Sequence, residues 1–83
     1  MNEQLQQFAR QKLKDGLAQC TKEQQLFFNR MYVPWALGII NQNRKMTDEE
    51  LNTPINEVVD KMPEDKLDWA MQQVQRTLNK KEA

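Results

Sequence analysis

The chain contains few side chains suited to nucleophilic, acid–base or metal chemistry. It has no histidine, so the usual general base and the commonest metal ligand are missing. Its single cysteine, Cys20, cannot build a thiolate metal site and falls on an apolar helical stripe, which favours a small buried residue over a nucleophile. No P-loop, GxGxxG or EF-hand pattern occurs in the sequence.

Carboxylates are the remaining candidates for acid–base catalysis or cation binding. Glu64 and Asp68 are spaced i, i+4, which places them on one helix face, and residues 48–50 form a second acidic cluster. Both sets lie at predicted helix starts, where acidic side chains favour the helix dipole and the cap. We therefore predict a protein that is not an enzyme, with no catalytic residue, no metal site and no cofactor.

Composition and charge restrict the partners and the location. Twelve basic residues balance twelve acidic ones, which argues against nucleic-acid binding driven by counterion release. The sequence has no apolar run of about 18 residues and no signal-peptide pattern, so neither a membrane span nor export is expected. A lone cysteine suits a reducing compartment, so we predict a soluble cytoplasmic protein. A net charge near zero also makes self-association easier, and a homodimer is one expectation.

The scarcity of glycine and proline predicts one all-α domain over residues 1–83, a small bundle of four or five helices. Apolar spacing predicts a first helix over residues 2–19. Gly16 either ends this helix or marks the place where another helix comes close, and a continuous helix is the favoured interpretation. Residues 21–24, "TKEQ", have the form of a capping box and predict a second helix that ends near Tyr32.

Pro34 is expected to break or restart the chain and to push Val33 toward an extended conformation. "PWALGIINQ", residues 34–42, is predicted to form a short helix with the proline at its first position. Residues 41–45 are the predicted flexible loop. "TDEE", residues 47–50, is a second capping box that can start only about one turn, because "NTP" follows it.

The last third of the chain gives the clearest helical signals. Thr53 is the predicted N-cap of a helix whose first residue is Pro54. Pro63 ends that helix and opens a long amphipathic C-terminal helix. The apolar stripes of the two helices are Ile55, Val58, Val59 and Met62 in the first, and Leu67, Ala70, Met71, Val74 and Leu78 in the second.

Trp69 falls on the side of the C-terminal helix opposite its apolar stripe, together with Gln72, Gln73 and Arg76. Tryptophan and arginine anchor protein interfaces more often than other residues do. Three interpretations are open: residues 32–40 cover Trp69 internally, which is favoured; a second copy of the chain covers it; or another protein does. The candidate partner-binding residues are Trp69, Gln73 and Arg76, followed by Trp35 and Tyr32.

A helix-turn-helix-like regulator associated with nucleic acid is the alternative function. Residues 55–75 read as helix, tight break, helix, which superficially suits that motif. The recognition helix would begin with Glu64, Asp65 and Asp68, which phosphates repel. Nucleic acid is therefore an unfavoured partner.

Two segments, "QQLFFNRMY" (residues 24–32) and "INEVVDKMPEDKLDWAMQQVQRTL" (residues 55–78), resemble small uncharacterised accessory proteins of tailed phages and prophages. The likeness lies mainly in the last third of the chain, while residues 33–52 resemble the group least. The resemblance implies no reaction, cofactor or substrate, and no site residue can be transferred from it. It implies a role in which a compact protein binds a host protein in the host cytoplasm.

Overall fold

The computed structural model describes residues 2–80, which form five α-helices and two 3-10 turns, with no strand in that range. The helices are α1 (Glu3–Ala18), α2 (Lys22–Ala36), α3 (Asp48–Leu51), α4 (Ile55–Lys61) and α5 (Leu67–Lys80). The 3-10 turns are Ile39–Asn41, after α2, and Glu64–Lys66, which leads directly into α5. The predicted small all-α bundle with an amphipathic C-terminal helix is confirmed.

Side-chain caps start three of the helices, and the sequence predicts two of them. The Asn2 side chain accepts a hydrogen bond from the backbone of Leu5 at the start of α1. Reciprocal capping boxes start α2, between Thr21 and Gln24, and α3, between Thr47 and Glu50. Each box satisfies two backbone donors that a helix start otherwise leaves unpaired.

Helix α2 continues through Pro34, so the predicted break there is wrong. Val33 is helical rather than extended, and the helix ends at Ala36 rather than near Tyr32. A proline in the last turn removes only the backbone hydrogen bond to the carbonyl of Arg30. Tyr32 and Val33 have no accessible surface, and their burial stabilises the helical path by more than that one bond costs.

The predicted short helix over residues 34–42 is also wrong, because Gly38 divides this segment. Gly38 has a φ of 71°, a left-handed conformation that glycine adopts without a Cβ clash and that commonly ends helices. The following loop, residues 42–47, is held by Arg44, whose guanidinium donates to both carboxylate oxygens of Glu50, at 2.9 and 2.7 Å. The loop is thereby fastened to the first turn of α3.

Thr53 does not cap α4, contrary to the sequence prediction. Pro54 occupies the N-cap position, and no side chain caps the helix there. The Thr53 hydroxyl instead donates to the carbonyl of Glu50 at 2.6 Å, and the Thr53 carbonyl accepts from the Asn29 side chain at 3.1 Å. Thr53 therefore completes the end of α3 and contributes to the junction with α2.

Helix α4 packs between α1 and α2, while α5 packs along α1. Residues of all four helices meet in one continuous apolar core. Buried members of that core are Leu13, Leu17, Cys20, Phe28, Tyr32, Val33, Ile39, Val58, Val59, Met62, Leu67, Ala70 and Val74. The molecule is flat, with extents of 35 × 33 × 17 Å, so many helix flanks lie at the surface.

Arg10 is a buried cation that joins α1 to the end of α4. Its Nη1 donates to the carbonyls of Val59 at 2.6 Å and Met62 at 2.9 Å, and its Nη2 donates to the side chain of Gln6 at 2.7 Å. The last carbonyls of a helix are incompletely bonded within it and carry its negative dipole end, although that of Val59 also accepts from the Met62 backbone at 3.3 Å. The Arg10 guanidinium supplies both the hydrogen bonds and the matching charge.

Gly16 lies where Val74 of α5 packs tightly against α1. A Cβ added to Gly16 would lie 2.8 Å from Cγ1 of Val74, which is too short for a carbon–carbon contact. The favoured prediction, a continuous α1 with a glycine inside it, is therefore confirmed. Another helix also comes close at Gly16, which was the second role considered for this residue. The glycine costs α1 some helix propensity and lets the two helices pack closely.

We predict that Arg10→Met lowers the free energy of unfolding by about 3 kcal/mol, because it leaves the carbonyls of Val59 and Met62 without their charged donor. Methionine keeps most of the apolar stem, so the loss reports mainly on the hydrogen bonds. Urea unfolding followed by far-UV circular dichroism measures it. The matched control is Arg30→Met at an exposed position, expected to change stability by less than about 0.5 kcal/mol. Equal effects at both sites would contradict the assigned role.

We predict that Gly16→Ala destabilises the protein by about 1–2 kcal/mol, although alanine at an unhindered helical site gains about 1 kcal/mol over glycine. The added methyl group meets Val74, whose β-branched side chain has little rotamer freedom in a helix. A double-mutant cycle with Val74→Ala tests this cause, since the substitution at Gly16 then costs less or becomes stabilising. An unchanged cost in that background would place the clash elsewhere.

Candidate protein-interaction surface

Tyr32 joins α2 to α5 at the centre of the protein. Its hydroxyl donates to the carbonyl of Ala70 at 3.0 Å, its ring stacks on Phe28 at 5.5 Å, and the ring of Trp69 meets its ring in a T-shaped contact at 5.4 Å. Burial raises the pKa of the Tyr32 hydroxyl, and the nearby Cys20 thiol adds a smaller increase. Tyr32 has no accessible surface, so in this fold it positions other residues and does not itself contact a partner.

Trp35 and Lys66 bring the end of α2 to the start of α5. The Lys66 ammonium lies 4.1 Å from the centre of the Trp35 ring, within the range of a cation–π interaction. Since Tyr32 meets Ala70 one turn further into each helix, α2 and α5 run antiparallel at this contact. The boundary between the two helices therefore carries aromatic side chains from both.

Helix α2 presents an apolar stripe along this boundary. Phe27, Met31 and Trp35 are spaced i, i+4, i+8, so they lie on one side of the helix. The Phe27 side chain is 53% exposed and its ring contacts the edge of Phe28 at 5.7 Å, while Met31 and Trp35 are partly buried. The stripe is thus supported by the core on one side and open to solvent on the other.

Helix α5 contributes the other half of the surface. Trp69, Gln73, Arg76 and Lys80 follow the spacing i, i+4, i+7, i+11 and share one side of the helix. Trp69 and Gln73 are partly buried, and Arg76 and Lys80 are exposed. We call this surface the α2–α5 face, defined by Phe27, Met31, Trp35, Trp69, Gln73 and Arg76.

The predicted partner-binding residues are distributed as follows. Trp69, Gln73 and Arg76 share one side of α5 by helical spacing, Trp35 of α2 meets Lys66 at the start of α5, and Tyr32 lies beneath Trp69. The favoured interpretation, internal cover of Trp69 by the segment that begins at Tyr32, describes the inner side of the indole. Sequence reasoning missed Phe27 and Met31, because the expected break at Pro34 separated them from Trp35 and hid the common spacing.

A second apolar patch lies near the start of α1. The side chains of Leu5 and Phe8 are 58% and 52% exposed, and the Lys12 ammonium lies 5.4 Å from the centre of the Phe8 ring. Beside Lys12, a cleft of about 270 Å³ runs between α1 and α5. The lining of the cleft is mostly apolar and includes Asp68, whose carboxylate accepts a hydrogen bond from Gln72 at 3.1 Å.

A wider cleft of about 480 Å³ lies over the loop after α2 and contains Ile40, Arg44 and Lys45. The cations of this cleft are partly neutralised, because Arg44 is paired with Glu50. Hydrogen bonds from Arg44 and from the backbone and hydroxyl of Thr47 hold the pKa of Glu50 at about 2, below its ordinary value of 4.5. This cleft therefore offers a weaker anion site than its composition indicates.

The side chains considered for chemistry are placed as follows. Cys20 is buried, with its sulfur 3.5 Å from the carbonyl of Gly16. Within residues 2–80 no group of three or more acidic or cysteine side chains is close enough together to hold a metal ion. Over the same range, every buried side-chain nitrogen or oxygen has a hydrogen-bond partner. No helix in the described part of the chain is both long and apolar enough to cross a membrane.

Comparison with known proteins does not place the chain in a family. No protein-family model matches it, no curated protein matches it, and no solved structure matches it. The resemblance to tailed-phage accessory proteins therefore depends on the sequence segments alone.

We predict that Glu50 contributes to stability in a pH-dependent way. Because its pKa is lowered to about 2 in the folded state, its ionised form stabilises the fold above about pH 4.5, and this contribution is lost as the pH falls toward 2. Glu50→Gln should be less stable than the original protein near neutral pH, and the difference should shrink in acid. Urea unfolding at several pH values measures this, with the exposed neighbour changed in Glu49→Gln as the control. A difference independent of pH would contradict the prediction.

Proposed function

We propose that this protein is a non-enzymatic interaction module that binds another protein through the α2–α5 face. The observation that carries the proposal is the partly exposed indole of Trp69, which the buried ring of Tyr32 supports from below, beside the apolar stripe of α2. Exposed apolar patches on small proteins commonly mark interaction sites. Tryptophan, methionine and arginine are also the residues enriched at the centres of interfaces.

Rigidity of the surface supports the same proposal. The rings of Phe27, Phe28, Tyr32 and Trp69 form one series of contacts with centroid distances between 5.4 and 5.7 Å. Side chains held in this way lose little conformational freedom on binding, so less of the interaction energy is spent on ordering them. The resemblance to phage accessory proteins supports a host protein as the partner and the host cytoplasm as the location.

Self-association is the second form of the proposal, and a different surface supports it. Leu5 and Phe8 are more exposed than any other large apolar side chain of residues 2–80 except Phe27, and they lie one turn apart on α1. A two-fold dimer uses the same patch on both copies, and an exposed leucine–phenylalanine pair suits such a contact. The near-zero net charge of the chain gives little long-range repulsion between copies.

The helix-turn-helix-like alternative has less support. Helix α4 has seven residues and is followed by a 3-10 turn before α5, so a helix pair is present. Glu64, Asp65 and Asp68 are exposed at the start of that second helix. A groove-binding helix would bring these carboxylates toward phosphates, which would repel them.

Site-specific photo-crosslinking tests the proposal. A photoreactive amino acid at position 73 of the full chain, expressed in the cells that carry the gene, is expected to form a crosslink to one protein. The same group at Asn56, exposed on α4, should form none. Trp69→Ala should abolish the crosslink while lowering the free energy of unfolding by only about 1–2 kcal/mol, because the indole is partly buried.

The outcomes separate the forms of the proposal. A crosslink to a second copy, together with a light-scattering mass near twice 9.9 kDa, assigns the face to a homodimer. Crosslinking at Asn56 but not at position 73 would contradict the use of the α2–α5 face. Collapse of the fold in Trp69→Ala would assign the indole to the core.

A further inference from the structure

We infer that the α2–α5 face binds an acidic amphipathic helix of a partner protein. The apolar side chains of that helix pack against the apolar stripe of α2, and its carboxylates lie along α5. This inference depends on the proposed function and specifies the chemistry of the partner. Its basis is the excess of cations along the α5 side of the face, in a chain whose total charge is balanced.

Cations line the α5 side of the face. Lys66 lies beside Trp35 at one end, Arg76 and Lys80 lie toward the other, and with about 1.5 Å of rise per residue they span roughly 21 Å. Arg76 and Lys80 make no hydrogen bond or ion pair within the described residues. Among residues 2–80, a partner can therefore engage these charges without displacing another side chain.

Carboxylates of the neighbouring elements are engaged elsewhere. Asp60 pairs with Lys14 at 2.8 Å, Glu57 with Lys61 at 3.2 Å, and Glu50 with Arg44 at 2.7 Å. Asp68 lines the α1–α5 cleft on the other flank of α5. Asp65, four residues before Trp69, and Glu23, four residues before Phe27, are exposed exceptions at the N-terminal ends of the two sides of the face.

The shape of the face suits a helix. Phe27, Met31 and Trp35 repeat every four residues and cover about 12 Å along α2. A partner helix lying along the boundary of α2 and α5 can place apolar residues at i, i+4 and i+7 against this stripe. Acidic residues on its flank then meet Lys66, Arg76 and Lys80, which favours association and fixes orientation.

A second copy of the chain fits this face less well than an acidic helix does. A two-fold interface brings the same patch of each copy together, so the lysines and the arginine of one copy would oppose those of the other. Like charges brought together across an interface disfavour that pairing. Nucleic acid fits less well because the chain as a whole is neutral, whereas binding to the phosphate backbone is driven by an excess of cations.

A peptide-display selection with the full-length protein as bait tests the inference. The library contains amphipathic helical peptides whose charged positions are randomised. Peptides enriched in aspartate and glutamate beside an i, i+4, i+7 apolar pattern are expected. Arg76→Glu/Lys80→Glu should weaken the selected peptides roughly tenfold and select basic peptides instead. The control Lys22→Glu/Lys45→Glu makes the same change in net charge at exposed positions away from the face, and should alter affinity less than about twofold.

The outcomes distinguish this inference from the proposed function. Selected peptides that bind the protein but not the Trp69→Ala variant, and that show no enrichment in acidic residues, would overturn the inference. They would leave the proposed function standing. Failure to select any peptide dependent on Trp69 would count against both. Tryptophan quenching by a single-stranded oligonucleotide at low salt, lost in the Arg76→Glu/Lys80→Glu variant, would assign the face to nucleic acid instead. A doubled mass that Trp69→Ala returns to the monomer value would assign it to a second copy.

Discussion

Unpaired carbonyl groups at the ends of short helices are the constraint on which this fold depends. Helices α3 and α4 have four and seven residues, too few to be stable in isolation. Side chains of the long helices satisfy their ends: Arg10 of α1 donates to the last carbonyls of α4, and Asn29 of α2 donates to Leu51 and Thr53 after α3. A thin core and buried charge-assisted hydrogen bonds together hold the short helices in place.

The candidate surface is an extension of the core and not an addition to it. Tyr32 has no accessible surface, yet its ring contacts both Phe28 in the interior and Trp69 at the edge. The position of the indole is therefore set by the same packing that fixes α5 against α2. Under the proposed function, stability and binding are therefore coupled at Trp69 but separable at the exposed Arg76.

Overall charge conceals a local asymmetry in this protein. The chain is neutral in total, but several carboxylates are paired within the fold while Arg76 and Lys80 on the α2–α5 face have no partner in the described residues. Electrostatic complementarity mainly governs association rate and partner choice, whereas buried aromatic residues supply most of the affinity. The face combines both features, which is why we assign it a partner with apolar and acidic residues.

The sequence by itself determined the fold class, the two capping boxes, and the apolar stripes of α4 and α5, because these signals act between residues three or four positions apart. It also placed Trp69, Gln73 and Arg76 on one flank of α5 by helical spacing alone. Only the tertiary structure decided that α2 passes through Pro34, that Thr53 bonds back to Glu50, and that Tyr32 lies beneath the surface it was expected to form. Burial and contacts such as that of Tyr32 with Ala70, 38 residues away, outweigh local preferences, and no local pattern in the sequence encodes them.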